Sequence, residues 1–263
     1  MNKKFERIIG VIVRHLYVWP KNLGRFTDSF FWPVINLFVW GYVGLYFNGQ
    51  IGGVNYVSAF LTGYLLWMFL QRSQEEISIG LLEDLWNRNF INIFATPITI
   101  WEYLIGLMIT GIFKLTLAFG LLSVVAFIFF KFNIYTLGIY LLPFILSLLL
   151  TGWWLGLIIN GTIIRLGYDA EALGWTVVFI LMPFSGVYYP LSILPSWMQS
   201  ISSILPSSYV FEGMRNLVLN GFFDLKAFAI SMILNAVYIA LALFFYKKMF
   251  DVAKEKGYLV KLF

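Results

Sequence analysis

Between Asp28 and Arg72 the chain carries no charged residue, and the same holds between Lys131 and Arg165 and between Glu171 and Glu212. Such runs leave few folds open. Backbone N–H and C=O groups need partners wherever water is absent, and in lipid a helix supplies them from its own turns. About 20 apolar residues in helical form cross ~30 Å of hydrocarbon. Of the 263 residues, 60% are hydrophobic and 12% charged, where a soluble domain carries about 25% charged residues. Lipid must therefore be the main solvent, and an all-α polytopic membrane protein is expected.

Spans are expected at about 29–47 and 54–71, within the apolar block 98–130, which is longer than one crossing requires, and at about 135–160, 173–189 and 227–246. The polar patch "NGQIGGVNY" separates the first two, and "KFN" separates the third from the fourth. Six transmembrane helices put both termini on one side. Lys and Arg favour the cytoplasmic side, and fourteen of the eighteen basic residues fall there if the N-terminus is cytoplasmic. Lys131, Arg215 and Lys226 are then outside, and Lys114 lies within a span. Basic residues recur from Lys3 to Arg25 where a signal peptide would place its apolar core, so an uncleaved N-terminus is expected. The net charge of +5, gathered at the two ends, suits an anionic lipid surface rather than nucleic acid. No repeat or linker divides the chain, so 1–263 reads as one membrane domain in the plasma membrane.

Three segments are not spans. Residues 1–26 place Phe5, Ile8, Ile9, Ile12, Leu16 and Trp19 at helical spacing, with Lys4, Arg7 and Arg14 elsewhere. That pattern predicts an interfacial amphipathic helix ended by Pro20, with His15 as an interfacial side chain. Residues 72–97 repeat Ile77, Leu81 and Leu85, with Leu82 and Trp86 beside them and Asp84 and Arg88 spaced as an i,i+4 pair. A short cytoplasmic helix is expected there, either a solvated connector or a protruding element that fits a groove in another protein. In residues 185–206, Pro190, Pro195 and Pro206 interrupt an apolar stretch dotted with serines. A helix from Pro195 to Leu205 would be ~15 Å long, half a crossing, with Trp197, Ile201 and Leu205 on one face. Its broken backbone needs protein partners, so a re-entrant helical hairpin between the fifth and sixth spans is expected, with Tyr188 and Tyr189 near the outer headgroups. The wider region 185–222 includes Glu212 and Arg215, three apart.

The stretches "GLLEDLWNRNFINIFATPITIWEYLIG" and "FSGVYYPLSILPSWMQSISSILPSSYVFEGMR" resemble the permeases of type-2 ABC transporters. Glu83, Thr96, Pro97, Glu102 and Gly106 match the family's pattern in the first. Phe184, Ser185, Gly186, Pro190, Pro195, Trp197, Pro206, Glu212 and Arg215 match it in the second. The resemblance implies a homodimer in membrane lipid, driven by two ABC ATP-binding subunits that carry the ATP and Mg. It implies a coupling helix in the 72–97 loop, contacting the ATPase through Glu75, Glu76, Glu83, Asp84, Trp86 and Arg88. It also implies an outer gate built from Tyr188, Tyr189, Pro190, Pro195, Trp197, Pro206, Glu212 and Arg215. The implied cargo is a hydrophobic or amphipathic drug-like molecule or lipid, or alternatively a lipid-linked polysaccharide. The segment "KNLGRFTDSFFWP" departs from the signature of the glycan exporters.

Independently of the resemblance, no glycine is followed by lysine, a dipeptide that a Walker A loop requires. ATP hydrolysis is therefore assigned to another polypeptide, and no cofactor to this one. With no cysteine, His15 the only histidine and no carboxylate within a confident span, catalysis of a covalent step is not expected. An ATP-independent channel or carrier has only Lys114 in its favour.

Overall fold

The structure, a computed structural model, describes residues 3–50 and 55–256. Ten α-helices and short 3-10 turns make up the regular structure of these residues, and no strand occurs among them. The expected turn between the first two spans falls partly at 51–54, and the tail around Lys261 lies beyond 256, both outside the described residues.

Helix α1 (Lys3–Val18) leads through a 3-10 turn at Trp19–Lys21 into α2 (Leu23–Gln50). Helix α3 (Tyr56–Trp86) is the centre of the bundle, packed against α2, α5 (Ile100–Phe130) and α6 (Leu141–Leu166). Its side chains are buried all round, Leu61, Leu65, Leu70, Ile77 and Leu81 among them, as a central helix requires. Small residues permit the close approach of α6: a Cβ at Gly152 would collide with Ser73 Oγ, and one at Gly156 would lie 2.9 Å from Ile77 Cβ. Helix α10 (Leu225–Glu255) closes against α6. Polar side chains join that pair. Asn235 Oδ1 accepts from Thr151 Oγ1 (3.0 Å) and Trp154 Nε1 (3.1 Å), and Asn235 Nδ2 donates to the Ser147 carbonyl (3.1 Å).

Helices α2, α5, α6 with its preceding 3-10 turn, and α10 are each long and apolar enough to cross a membrane. Phe31, Val39, Ile112, Leu121, Ile233 and Phe244 stand exposed on α2, α5 and α10, an outward apolar coat that suits lipid and not water. Two elements depart from the expected spans. Helix α3 does not stop near residue 71 but runs on through Arg72, Glu75, Glu76, Glu83 and Asp84 to Trp86. No Pro or Gly pair breaks that stretch, and its charges find partners on neighbouring helices. The separate helix expected in 72–97 is reduced to α4 (Phe90–Phe94). Helix α7 (Leu173–Ser185) ends four residues before the expected limit of 189, because Gly186 adopts φ 64° as a left-handed cap.

Two short helices follow, α8 (Ser196–Ser202) and α9 (Pro206–Asn220). Helix α8 is shorter than the expected 195–205: the residue before a proline is steered away from helical backbone, and Leu205 is extended ahead of Pro206. Leu205 is accordingly buried while Trp197 is exposed, so the two do not share one face.

Candidate functional site: an ion-paired foot and a proline-bounded cap

The lower half of α3 meets α1, the start of α2 and the start of α5 in a foot made of interhelical ion pairs. Charged residues of α1, α2, α3 and α5 meet there, and all but Glu75 find a partner on another helix. Arg72 Nη1 reaches Asp28 Oδ2 on α2 (2.5 Å) and Glu75 Oε2 (3.0 Å), and Gln71 Nε2 donates to the other Glu75 oxygen (2.8 Å). Lys114, the ionisable residue expected inside a span, is bound to Glu76 at 2.7 Å. Arg25 pairs with Glu83, and Arg14 with Asp84.

Helix α1 is clamped rather than merely laid on the surface. Arg7 grips Glu102 with both arms, Nε to Oε2 at 2.9 Å and Nη2 to Oε1 at 2.6 Å. Glu102 in turn closes a capping box with Thr99 at the start of α5. Val11 fits over Gly106, where a Cβ would lie 2.6 Å from Val11 Cγ1. His15, expected as an interfacial side chain, is buried at 3% exposure against Tyr103 and Asp84. Its Nε2 is 4.0 Å from Asp84 Oδ2, beyond hydrogen-bond reach. Tyr103 Oη donates to that same oxygen at 2.6 Å. Burial first, then Arg14, Lys114 and Arg25, push the His15 imidazolium pKa down to about 3; the ring is neutral at pH 7.

Of the residues the sequence groups on the 72–97 segment, Glu76, Glu83 and Asp84 thus pair with neighbouring helices, while Glu75 is buried against Gln71 and Arg72 of α3 itself. Asp84 is 1% exposed. The expected Asp84–Arg88 pair does not form, since Arg88 lies past the end of α3 with φ 50° and leaves the helical register. Trp86 and Arg88 are exposed at the tip. Trp86 stacks on Trp175 of α7 (centroids 6.0 Å apart, planes 13° apart) and donates Nε1–H to Glu171 at 3.3 Å. Arg7, Arg14, Arg25 and Asp28 were not singled out from the sequence for this cluster. The available signal was Arg72, Glu75, Glu76 and Glu83 at helical spacing in direct continuation of an apolar run.

The cap lies toward the N-terminal end of α3 and is built on a different principle. Arg215 Nη2 donates to the carbonyls of Gly186 (2.5 Å) and Tyr189 (2.7 Å), while Glu212 accepts the Leu191 N–H (2.6 Å) and pairs with Arg215 (3.0 Å). One Glu and one Arg on α9 therefore satisfy three main-chain groups of the irregular stretch between Pro183 and Pro195. Tyr189 Oη donates to the Pro183 carbonyl (2.8 Å), and burial raises its phenol pKa above the usual value. Tyr188 stacks on Trp40 of α2 at 3.6 Å. Ser185 and Ser207, which open and close the region, share a hydrogen bond of 2.8 Å. Pro190 and Pro195 are exposed at the caps of the next two short turns, and Pro206 is buried at the first turn of α9. Trp197 touches Phe184 edge to face. The structure thus brings Glu212, Arg215, Tyr188 and Tyr189 together and leaves Trp197 at the rim.

A helical bundle with an apolar coat and buried ion pairs at one end defines a multi-pass membrane protein. The ABC-2 type transporter family model matches residues 13–219, a stretch that includes the cap and every ion-paired residue of the foot except Arg7. The chain belongs to that family and is a transmembrane transport permease. It is similar to the inner membrane transport permease YadH of Escherichia coli strain K12 and to that of Shigella flexneri. Each is 21% identical over 215 residues, which cover 76% of this chain and 83% of the relative.

Proposed function

We propose that the chain is the membrane subunit of an exporter driven by ATP, with ATP and Mg held by two separate ABC ATP-binding subunits and the membrane path formed by two copies of this chain. The family match across residues 13–219 carries this reading. The absence of a Gly-Lys dipeptide agrees with it, since the chain has no Walker A loop of its own. All six long or apolar helices, α2, α3, α5, α6, α7 and α10, cross the bilayer as one domain with both termini in the cytoplasm, and the foot is the cytoplasmic end. The basic residues of α1 and of the α10 end favour that orientation.

Exposed Trp86 and Arg88 form the contact that an ATP-binding subunit grips, and α3 is the lever. Because Glu76, Glu83 and Asp84 are tied to α5, α2 and α1, a push on the tip reaches three other helices through ion pairs rather than through a flexible loop. The cap is a re-entrant outer lid. A Cβ at Gly63, about 10 Å into α3 at 1.5 Å per residue, would stand 2.7 Å from the Val187 carbonyl oxygen. That depth supports a segment that dips in and returns. The cargo is a hydrophobic or amphipathic molecule.

The test is co-reconstitution of the chain with its ATP-binding subunit in proteoliposomes. Arg88→Glu together with Trp86→Ala is expected to leave ATP binding in place and abolish ATP-driven transport. Transport of the same cargo by this chain alone, without nucleotide, would overturn the reading.

A further inference from the structure

The 3-10 turn after α1, the first turns of α2, and facing stretches of α3 and α5 enclose a cavity of about 440 Å³ in the foot. Small-molecule sites run from roughly 300 to 1,000 Å³. The wall contains four carboxylates, Asp28, Glu75, Glu76 and Glu83, against three cations, Arg25, Arg72 and Lys114. Lys114 serves Glu76 and Arg25 serves Glu83, but Arg72 is divided between Asp28 and Glu75. Asp28 and buried Glu75 therefore share one cation, and the Asp28 side chain is 52% exposed, open to a second.

The same wall holds Trp19, Trp86 and Trp175. An indole face attracts a cation within about 6 Å of its centroid, and the Lys114 ammonium already lies 5.6 Å from the Trp19 centroid. An anion entering here would face carboxylates, and every basic group of the wall is engaged. A fully polar cation would leave the indoles and Leu115 and Ala118 without contact.

We propose that this cavity binds an amphipathic organic cation, its charge against Asp28 and its apolar body against the tryptophans. As a statement about cargo it rests on the transport reading; as a statement about binding it does not. The full-length chain in nanodiscs of zwitterionic lipid, dialysed to equilibrium against labelled tetraphenylphosphonium, tests it. Tetraphenylborate, of the same shape and opposite charge, is the control, and empty nanodiscs give the background. Saturable binding of the cation, one per chain, is expected, with tetraphenylborate at background. Asp28→Asn should weaken cation binding about tenfold and Asp28→Glu should restore it. Trp175→Leu, on another helix, should weaken binding several-fold without changing the preference for positive charge. Cation uptake equal to empty nanodiscs, equal saturable binding of tetraphenylborate, or indifference to both Asp28→Asn and Trp175→Leu would overturn the proposal. No nucleotide enters this measurement. Failure here with ATP-driven transport intact removes the cation site alone, whereas cation binding without ATP-driven transport removes the transport reading alone.

Discussion

The foot and the cap both put polar chemistry into an apolar bundle, but they do it with opposite partners. In the foot, side chains pair with side chains on other helices: Arg7 with Glu102, Arg14 with Asp84, Arg25 with Glu83, Arg72 with Asp28 and Lys114 with Glu76. In the cap, the side chains of Glu212, Arg215, Tyr189 and Gln199 are spent on main-chain groups of the proline-broken loop. The first arrangement fixes helices relative to one another and depends on charge. The second fixes a backbone that lipid could not solvate. A pair between two side chains can exchange partners when helices shift. A carbonyl held by Arg215 cannot move without being left bare.

The sharpest way to break the comparison is to leave one charge of the foot uncompensated. Asp84 is almost fully buried between Arg14 and Tyr103. Removing one member of a buried pair costs about 3–5 kcal/mol, and the partial exposure of Arg14 favours the lower end. Asp84→Asn is therefore expected to cost about 3 kcal/mol, read as a fall in the thermal midpoint of the chain in nanodiscs. Arg14→Met in the same background should recover part of that loss, since the orphaned cation is gone. A change of less than about 1 kcal/mol, the range of exposed pairs, would mean that the foot is solvated and the pair contributes little.

The matching change in the cap is smaller. Arg215→Met bares the Gly186 and Tyr189 carbonyls, and an unsatisfied buried acceptor costs about 1–3 kcal/mol. Its damage should stay local. Hydrogen exchange is expected to accelerate in residues 186–195 and to leave α1 unchanged, whereas Asp84→Asn should accelerate exchange in α1. Spread of the Arg215→Met effect to α1 would show that the two regions behave as one unit.

Acid separates them further. His15 is neutral and buried when α1 is docked, with its pKa depressed from an ordinary 6.5 to about 3. In the released or unfolded chain it takes up a proton below about 6.5. Between those two values the unfolded form binds a proton that the folded form refuses, so stability falls as pH falls, by about 1.4 kcal/mol per unit at most. Between about pH 6.5 and 5 carboxylates of ordinary pKa are still ionised, and the destabilising part of the slope belongs to His15. His15→Gln should flatten it in that window, and Arg215→Met should leave it unchanged.

Much of the cap was legible in the sequence and little of the foot, for a physical reason. Pro190, Pro195, Pro206 and the serines announce a backbone that cannot be a span, and their needs are met nearby: Glu212 and Arg215 stand within 30 positions of the groups they serve. The bundle itself was legible because uncharged runs leave helices as the only economical form. Foot pairs join positions 44 and 95 apart, and no local pattern couples residues at such separations. Reading 72–97 as its own helix followed from charge density, which ordinarily excludes a helix from a bilayer. Here Arg72, Glu75 and Glu76 are neutralised by or with neighbours, so α3 continues. His15 was misread for the same cause: helical spacing placed it beside Arg14, but not beneath α5.

The mildest discriminator is salt. Partly exposed Arg7 meets buried Glu102 at the edge of the foot, where ions reach the guanidinium, and the Debye length shortens from about 10 Å at 0.1 M to about 3 Å at 1 M. Raising salt across that range should loosen α1, seen as faster exchange of its amide hydrogens, by less than either substitution above. Arg7→Gln should remove the part of that salt dependence carried by the Arg7–Glu102 pair and leave the part carried by Arg14 and Asp84. The cap, where one partner in most contacts is an uncharged carbonyl or N–H, should show no change in exchange at residues 186–195 over the same range. Equal salt sensitivity at both ends would mean that the Glu212–Arg215 pair, rather than its bonds to the backbone, holds the cap together, and the contrast drawn between the two regions would reduce to a difference in exposure.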